Sequence, residues 1–224
     1  MIGKIKFTKN KFLLTVIYIF VVIIYFTSLL LTFGVSKAHP RRDTASQGKK
    51  PEPETSLYSE LKEGLVYIWN NGPIFAIICL AFLANLTAFP ITHGLMPYIA
   101  KDILLLDENG LGQLLAAFSC GAVMGSLILA ATPSQKYATQ LMLINLVIWY
   151  IMLAIFSWID SRTGALVVLF FVGIAHSFAM TSMSVSLLGF TNELVRGRVM
   201  GVRVLAIYGV PLGLLASGFL IEYF

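Results

Sequence analysis

His176 lies in the run LFFVGIAHSFAMTSMSVSLLGF, where no charged residue accompanies it. An imidazole titrates near neutrality, so an isolated one in an apolar run can take up a proton or touch a polar substrate group. It can equally stay neutral, hydrogen-bonded between neighbouring helices. The same run carries Ser177, Thr181 and Ser184 at helical spacing on one stripe with Gly173, and Ser182 and Ser186 on the next. Hydroxyls so placed either line a polar cavity or bond backbone carbonyls and adjacent helices. Asn85 and Asn145 are further polar candidates inside apolar runs, whereas His93, close to the end of its run, reads as an interfacial residue.

Other chemistries lack their residues. The apolar runs hold no Asp or Glu apart from Glu222, and the chain has no HExxH, no Gly-x-Ser-x-Gly elbow and no Walker A motif. We therefore expect no enzyme. Cys79 and Cys120 each sit in an apolar run, where a buried thiol is the simpler reading than a disulfide. Two such residues do not build a metal site, and no cofactor is expected.

These side chains must be positioned by membrane helices. Of the 224 residues 58% are hydrophobic and 12% charged, half the charge of an ordinary soluble domain. The apolar residues fall in runs of about 20, the length that crosses a bilayer as helix. The expected fold is all-α and integral to the membrane, with about six transmembrane helices: Phe12 to Phe33, Ile74 to Tyr98, Gly110 to Ala131, Thr139 to Trp158, Thr163 to Phe190 and Met200 to Phe224. Pro90 must kink the second or end its regular part, and Pro211 falls inside the last. Asp107 and Asn109 are good caps for the third.

Between the first two spans, Gly34 to Thr55 is Pro- and Lys-rich, and Ser56 to Trp69 is amphipathic. Leu57, Leu61, Leu65 and Ile68 lie on one side of it and Glu60, Lys62 and Glu63 on the other. The chain thus divides into a tail and first helix (1–33), a cytoplasmic loop with an amphipathic helix (34–72) and a five-helix bundle (73–224).

Cations mark the cytoplasmic side of a membrane protein. Lys37, Arg41, Arg42, Lys49, Lys50, Lys62, Lys136, Arg196, Arg198 and Arg203 fall on one set of alternate connectors, against Lys101 and Arg162 on the other. The long loop is then cytoplasmic. Lys4, Lys6, Lys9 and Lys11 disagree, because this topology puts the N-terminal tail outside. The formal charge of +5 follows from these loop and tail residues, and no basic patch suited to nucleic acid is present.

Small residues set helix packing in lipid, where burial gives little drive. Ala117, Gly121 and Gly125 recur at four-residue steps in the third span, and Gly201, Leu205, Gly209, Gly213 and Ser217 do so in the last. Close packing explains both stripes. A sharper reading is that glycine faces let helices slide or rock.

The segment ELKEGLVYIWNNGPIFAIICLAFLANLTAFPITHGLMPYIAKDIL followed by GLGQLLAAFSCGAVMGSLIL resembles the seventh and eighth helices of the major facilitator superfamily. The bacterial efflux branch with siderophore and drug exporters is the most similar group. TNELVRGRVMGVRVLAIYGVPLGLLASGFL resembles that branch's passage from helix ten to eleven. The likeness covers about residues 56 to 224. It implies most of the C-terminal half of the fold, with the first span as helix six, both ends of the chain outside, and helices one to five and twelve missing. TPSQKYA lacks the Asp of the family's loop between helices eight and nine, so no gating charge cluster is expected there.

The resemblance implies a secondary active transporter in the cell (inner or plasma) membrane that exports a small molecule by alternating access when complete. Its partners are the lipid bilayer, the small-molecule substrate and a missing N-terminal half or partner subunit. The alternatives are a non-transporting membrane assembly subunit and an inactive truncated fragment.

Overall fold

The computed structural model describes residues 19, 22, 23, 25–27, 57–132 and 135–223. The expected first span and the Pro/Lys-rich loop lie largely outside the described residues. Contacts divide the chain into Met1–Pro53 and Glu54–Phe224. In the first unit, Ile19, Val22, Ile23 and Tyr25–Thr27 are helical, and Thr27 Oγ1 donates to Ile23 O at 2.8 Å.

The second unit is helical throughout its described residues, with no strand among them. The amphipathic segment forms α1, Leu57–Trp69. Helix α2, Gly72–Ile103, begins with Pro73 in its first turn, where a missing N–H costs nothing. It is followed by α3, Glu108–Ala131, α4, Ala138–Phe156, and α5, Arg162–Phe190. The last span is composite: α6, Arg196–Leu205, passes through a 3₁₀ turn, Ala206–Tyr208, into α7, Gly209–Tyr223. Among the described residues five helices are long and apolar enough to cross a membrane: α2, α3, α4, α5 and the stretch Glu193–Glu222. Large apolar side chains such as Val123, Leu127, Val147, Phe171 and Phe219 point outward, as a lipid-facing surface requires.

Two elements depart from the sequence reading. The second span runs to Ile103 instead of ending near Tyr98. Regular α-helix stops at Phe89, but the chain passes Pro90 in a π turn, Pro90–Gly94, and makes a second, Ile99–Ile103. Proline removes one backbone donor, and in a medium without water the chain re-forms helix at once to satisfy the rest. The wide turns are closed by Leu95 N–H to Pro90 O at 2.8 Å and Leu104 N–H to Ile99 O at 2.9 Å. Leu105 then takes a left-handed conformation (φ 51°), and Leu106 N–H returns to Ala100 O at 2.7 Å. The last span likewise begins earlier than Met200, because Arg196–Val199 already belong to α6.

Helix α5 is the centre of the unit, packed most extensively on α3 and α4 and also touching α2. At the α3–α5 crossing the two backbones meet through reciprocal glycines. A Cβ on Gly121 would enter Phe170 O, and one on Gly173 would enter Phe118 O and come within 2.8 Å of Ala122 N. The buried seam of α3 is Gly110, Leu114, Phe118, Gly121, Gly125 and Leu129. Ala117 is only partly covered, because a period of 3.6 residues alternates steps of three and four.

Helix α7 packs on α2 the same way. Gly209 approaches Phe82 O, Gly213 faces Leu86 O and Pro90, and Ser217 Oγ donates to Gly213 O at 2.7 Å. Gly201 does not join this stripe, since a Cβ there would meet nothing within 4 Å. The intervening 3₁₀ turn advances about 120° per residue against about 100° in α-helix, so it rotates α6 out of register with α7.

At one end of the unit α1 lies along α6. Glu63 pairs with Arg198, Tyr67 Oη accepts from Asn192 N–H at 3.3 Å, and Ile68, Val199 and Val202 share a core with Ile74, Met183 and Leu187.

The N-terminus of α3 is capped by Asp107, whose Oδ1 accepts from Gly110 N–H at 2.9 Å. That bond, followed by the one from Asn109, holds its carboxyl below the usual carboxylate range. A depressed carboxylate stabilises the fold above its ordinary pKa and ceases to do so as pH falls through the lowered value. Asp107→Ala is therefore expected to reduce hydrogen-exchange protection at Gly110 near neutral pH. Acidification through that lowered value should reduce it in the wild type and leave the variant little changed. Equal protection in both proteins at neutral pH would remove Asp107 from the cap.

Candidate functional site

Four-residue steps along α2 bring Ala81, Asn85, Phe89 and His93 to one face. On α5, His176, Met180 and Met183 form a second face, and Met200, Arg203, Val204 and Ile207 a third along the last span. The three border a half-open cavity of about 880 Å³, with Tyr208, Val210 and Pro211 along its rim. Its walls are mostly apolar. The polar exceptions are Asn85, His93, His176, Arg203 and Tyr208.

His176 stands where α2, α3, α4 and α5 converge. Its ring centroid lies 4.8 Å from Trp149, 5.3 Å from Phe89 and 5.3 Å from Phe118. Trp149 and Phe89 meet it edge to face, a favourable arrangement for rings with negative faces and positive edges. His93 is 6.5 Å away, centroid to centroid, itself against Phe89 and Phe118. Both ring nitrogens of His176 are enclosed and have no hydrogen-bond partner among the described residues. An imidazole so held can still accept a proton or bond a ligand, and aromatic packing from three helices fixes its plane.

Asn85 also lines the cavity, with its amide nitrogen donating to Ala81 O at 2.8 Å. The remaining candidates lie elsewhere. Ser177 is buried against Gly125 on the α3 side of α5, Thr181 is exposed, and Ser184 Oγ donates to Met180 O at 3.0 Å. Asn145 is on α4 and donates to Leu141 O at 2.9 Å. Ser186 ties α5 to α4 through Thr139 at 3.2 Å. Ser184 thus back-bonds and Ser186 joins α4, and the cavity receives His176 with the two methionines.

Two cavity residues were misplaced in the sequence reading. His93 is not at the end of a helix: α2 continues for ten residues beyond it, to Ile103. Arg203, counted there among connector cations, is half-buried inside α6. The spacing of Met200, Arg203, Val204 and Ile207 was the available signal, being that of a single helix face.

The major facilitator superfamily model matches residues 10–224. The chain belongs to the Major Facilitator Superfamily. No curated protein and no solved structure matches it. Membership makes this a multi-pass membrane protein of a transporter family. In such proteins helices packed through small residues surround a central cavity, and substrate sites lie where helices are irregular. Two of the three faces of this cavity carry such irregularities, the π turn at Pro90–Gly94 and the 3₁₀ turn at Ala206–Tyr208.

Proposed function

We propose that this superfamily member is a secondary active transporter that exports a small molecule by alternating access, with the cavity between α2, α5 and the last span as its substrate site. The observation that carries the reading is the cavity itself. Its volume of about 880 Å³ falls in the range of small-molecule sites, roughly 300–1,000 Å³, and its apolar wall holds a few convergent polar groups. Sequence likeness to the efflux branch supports export, and the same likeness supports the cell membrane as its location. On this reading the five membrane-length helices of the second unit are helices seven to eleven of the family, opposed by a second bundle that forms the other wall.

His176 has the position and chemistry to respond to protons or to contact substrate. Proton-driven flux of a fluorescent substrate in proteoliposomes carrying the protein is expected to fall several-fold in His176→Ala and to change its pH profile. An unchanged profile would exclude His176 from coupling. Stable co-purification with one membrane partner, without flux under any gradient, would replace the transporter reading with that of an assembly subunit.

A further inference from the structure

Among the described residues, the only side chain of the cavity wall with a fixed charge is Arg203. A guanidinium stays protonated under all conditions in which proteins fold. The two ion pairs among the described residues use its neighbours instead, Arg196 with Glu193 at 3.3 Å and Arg198 with Glu63. Among the described residues no Asp or Glu lines the cavity, whose other polar groups are Asn85, His93, His176 and Tyr208. Nothing among the described residues therefore offsets the cation, although it is half-buried beside Met200, Val204 and Ile207. Holding an uncompensated charge against an apolar wall is costly, and a ligand of opposite sign recovers that cost on binding.

We infer that the cavity takes an amphipathic organic anion. Its apolar body would lie against the methionine wall from α5, whose unbranched thioethers adapt to irregular shapes. Its carboxylate, sulfonate or phosphate would meet the fork of Arg203, which suits planar or tetrahedral oxyanions bidentately. The inference rests on the cavity being the substrate site proposed above. The same chemistry is offered by a soluble aryl or alkyl anion and by the headgroup and chains of an acidic lipid.

The test uses two ions of one shape and opposite charge, tetraphenylborate and tetraphenylphosphonium, titrated onto the purified full chain in a neutral maltoside detergent. We expect the borate to bind at least tenfold more tightly, because the two ions differ only in the sign of their charge and the fixed charge in the cavity wall is positive. Arg203→Gln should abolish that preference, and Arg203→Lys should keep most of it with its helical content unchanged. Displacement of the borate by phosphatidylglycerol but not by an anilinonaphthalene sulfonate would assign the site to lipid, and the reverse to a soluble anion. Either result supports the assignment. Equal or tighter binding of the phosphonium, or a borate preference that survives Arg203→Gln, overturns it, and so does binding of neither ion. Borate binding without flux would remove the transporter reading and leave this one standing. Flux with a phosphonium preference would do the opposite.

Discussion

Gly173→Val is expected to be among the most destabilising single substitutions in the described bundle, because the added carbons would have to occupy the backbone of a neighbouring helix. A Cβ at this position falls onto Phe118 O and close to Ala122 N, and Gly121 presents the same problem to Phe170 from the other side. No rotamer change relieves a clash with backbone, so α3 and α5 would have to move apart along their largest interface. Overpacking in well-packed cores costs about 1–3 kcal/mol even where side chains can yield. Gly173→Ala should already fall in that range and Gly173→Val at or beyond its upper end. The measurement is the midpoint of thermal or denaturant unfolding in detergent. Gly189, on the same helix, supplies the control: a Cβ there meets nothing within 4 Å. Gly189→Ala should be neutral or slightly stabilising, through helix propensity. Equal effects at the two positions would show that the crossing is not set by glycine.

Trp149→Ala should come close to it. Trp149 is fully enclosed, at 0% exposure, and its ring stands against Phe89 and His176. In a soluble protein such a truncation costs about 3–5 kcal/mol, part of it lost transfer energy and part the cavity left behind. In lipid the transfer part shrinks, because the surroundings are as apolar as the core, whereas the packing part survives. We therefore expect about 3 kcal/mol, read as a lowered unfolding midpoint. Trp149→Phe should cost much less. The indole Nε1 has no hydrogen-bond partner among the described residues, so removing it forfeits no bond. Equal damage from Trp149→Phe and Trp149→Ala would show that the indole nitrogen holds a hydrogen bond.

Much of the architecture was legible because lipid imposes a simple rule on sequence. Apolar runs near 20 residues had to be helices, and helices were found for all those within the described residues. The cap at Asp107 was legible as well, since it accepts from the backbone N–H three residues on, whereas Asn109 lies within α3. The site was less legible. His176 and Asn85 could be picked out as polar residues in apolar runs, but their company on α2 and α6 could not. Proline at 90 announces a fault in a helix without saying whether the helix resumes, so His93 was read as terminal. A cluster of arginines beside Gly197 and Gly201 resembles a connector until Met200, Arg203 and Ile207 are seen to share a face. The hydroxyls of α5 read two ways in the sequence, and Ser184 takes the local one. Ser184 finds an acceptor one turn back on its own helix, and a polar side chain satisfied in that way need not face a cavity.

The approach of Gly213 to Leu86 and Pro90 also settles an account in backbone hydrogen bonding. In regular helix the carbonyl of Leu86 would accept from the nitrogen of residue 90, which as proline has no hydrogen to give. An orphaned acceptor in hydrocarbon is costly. The position where a Cβ on Gly213 would collide with Leu86 O is occupied by a Cα hydrogen, which points at that oxygen. Such a Cα–H···O contact is worth about half of a normal amide bond in vacuum, yet here it is offered where no water competes. Pro90 and Gly213 are thus the two halves of one substitution, a lost N–H on α2 answered by a C–H from α7. A side chain at 213 would both separate the helices and strand the carbonyl that proline set free.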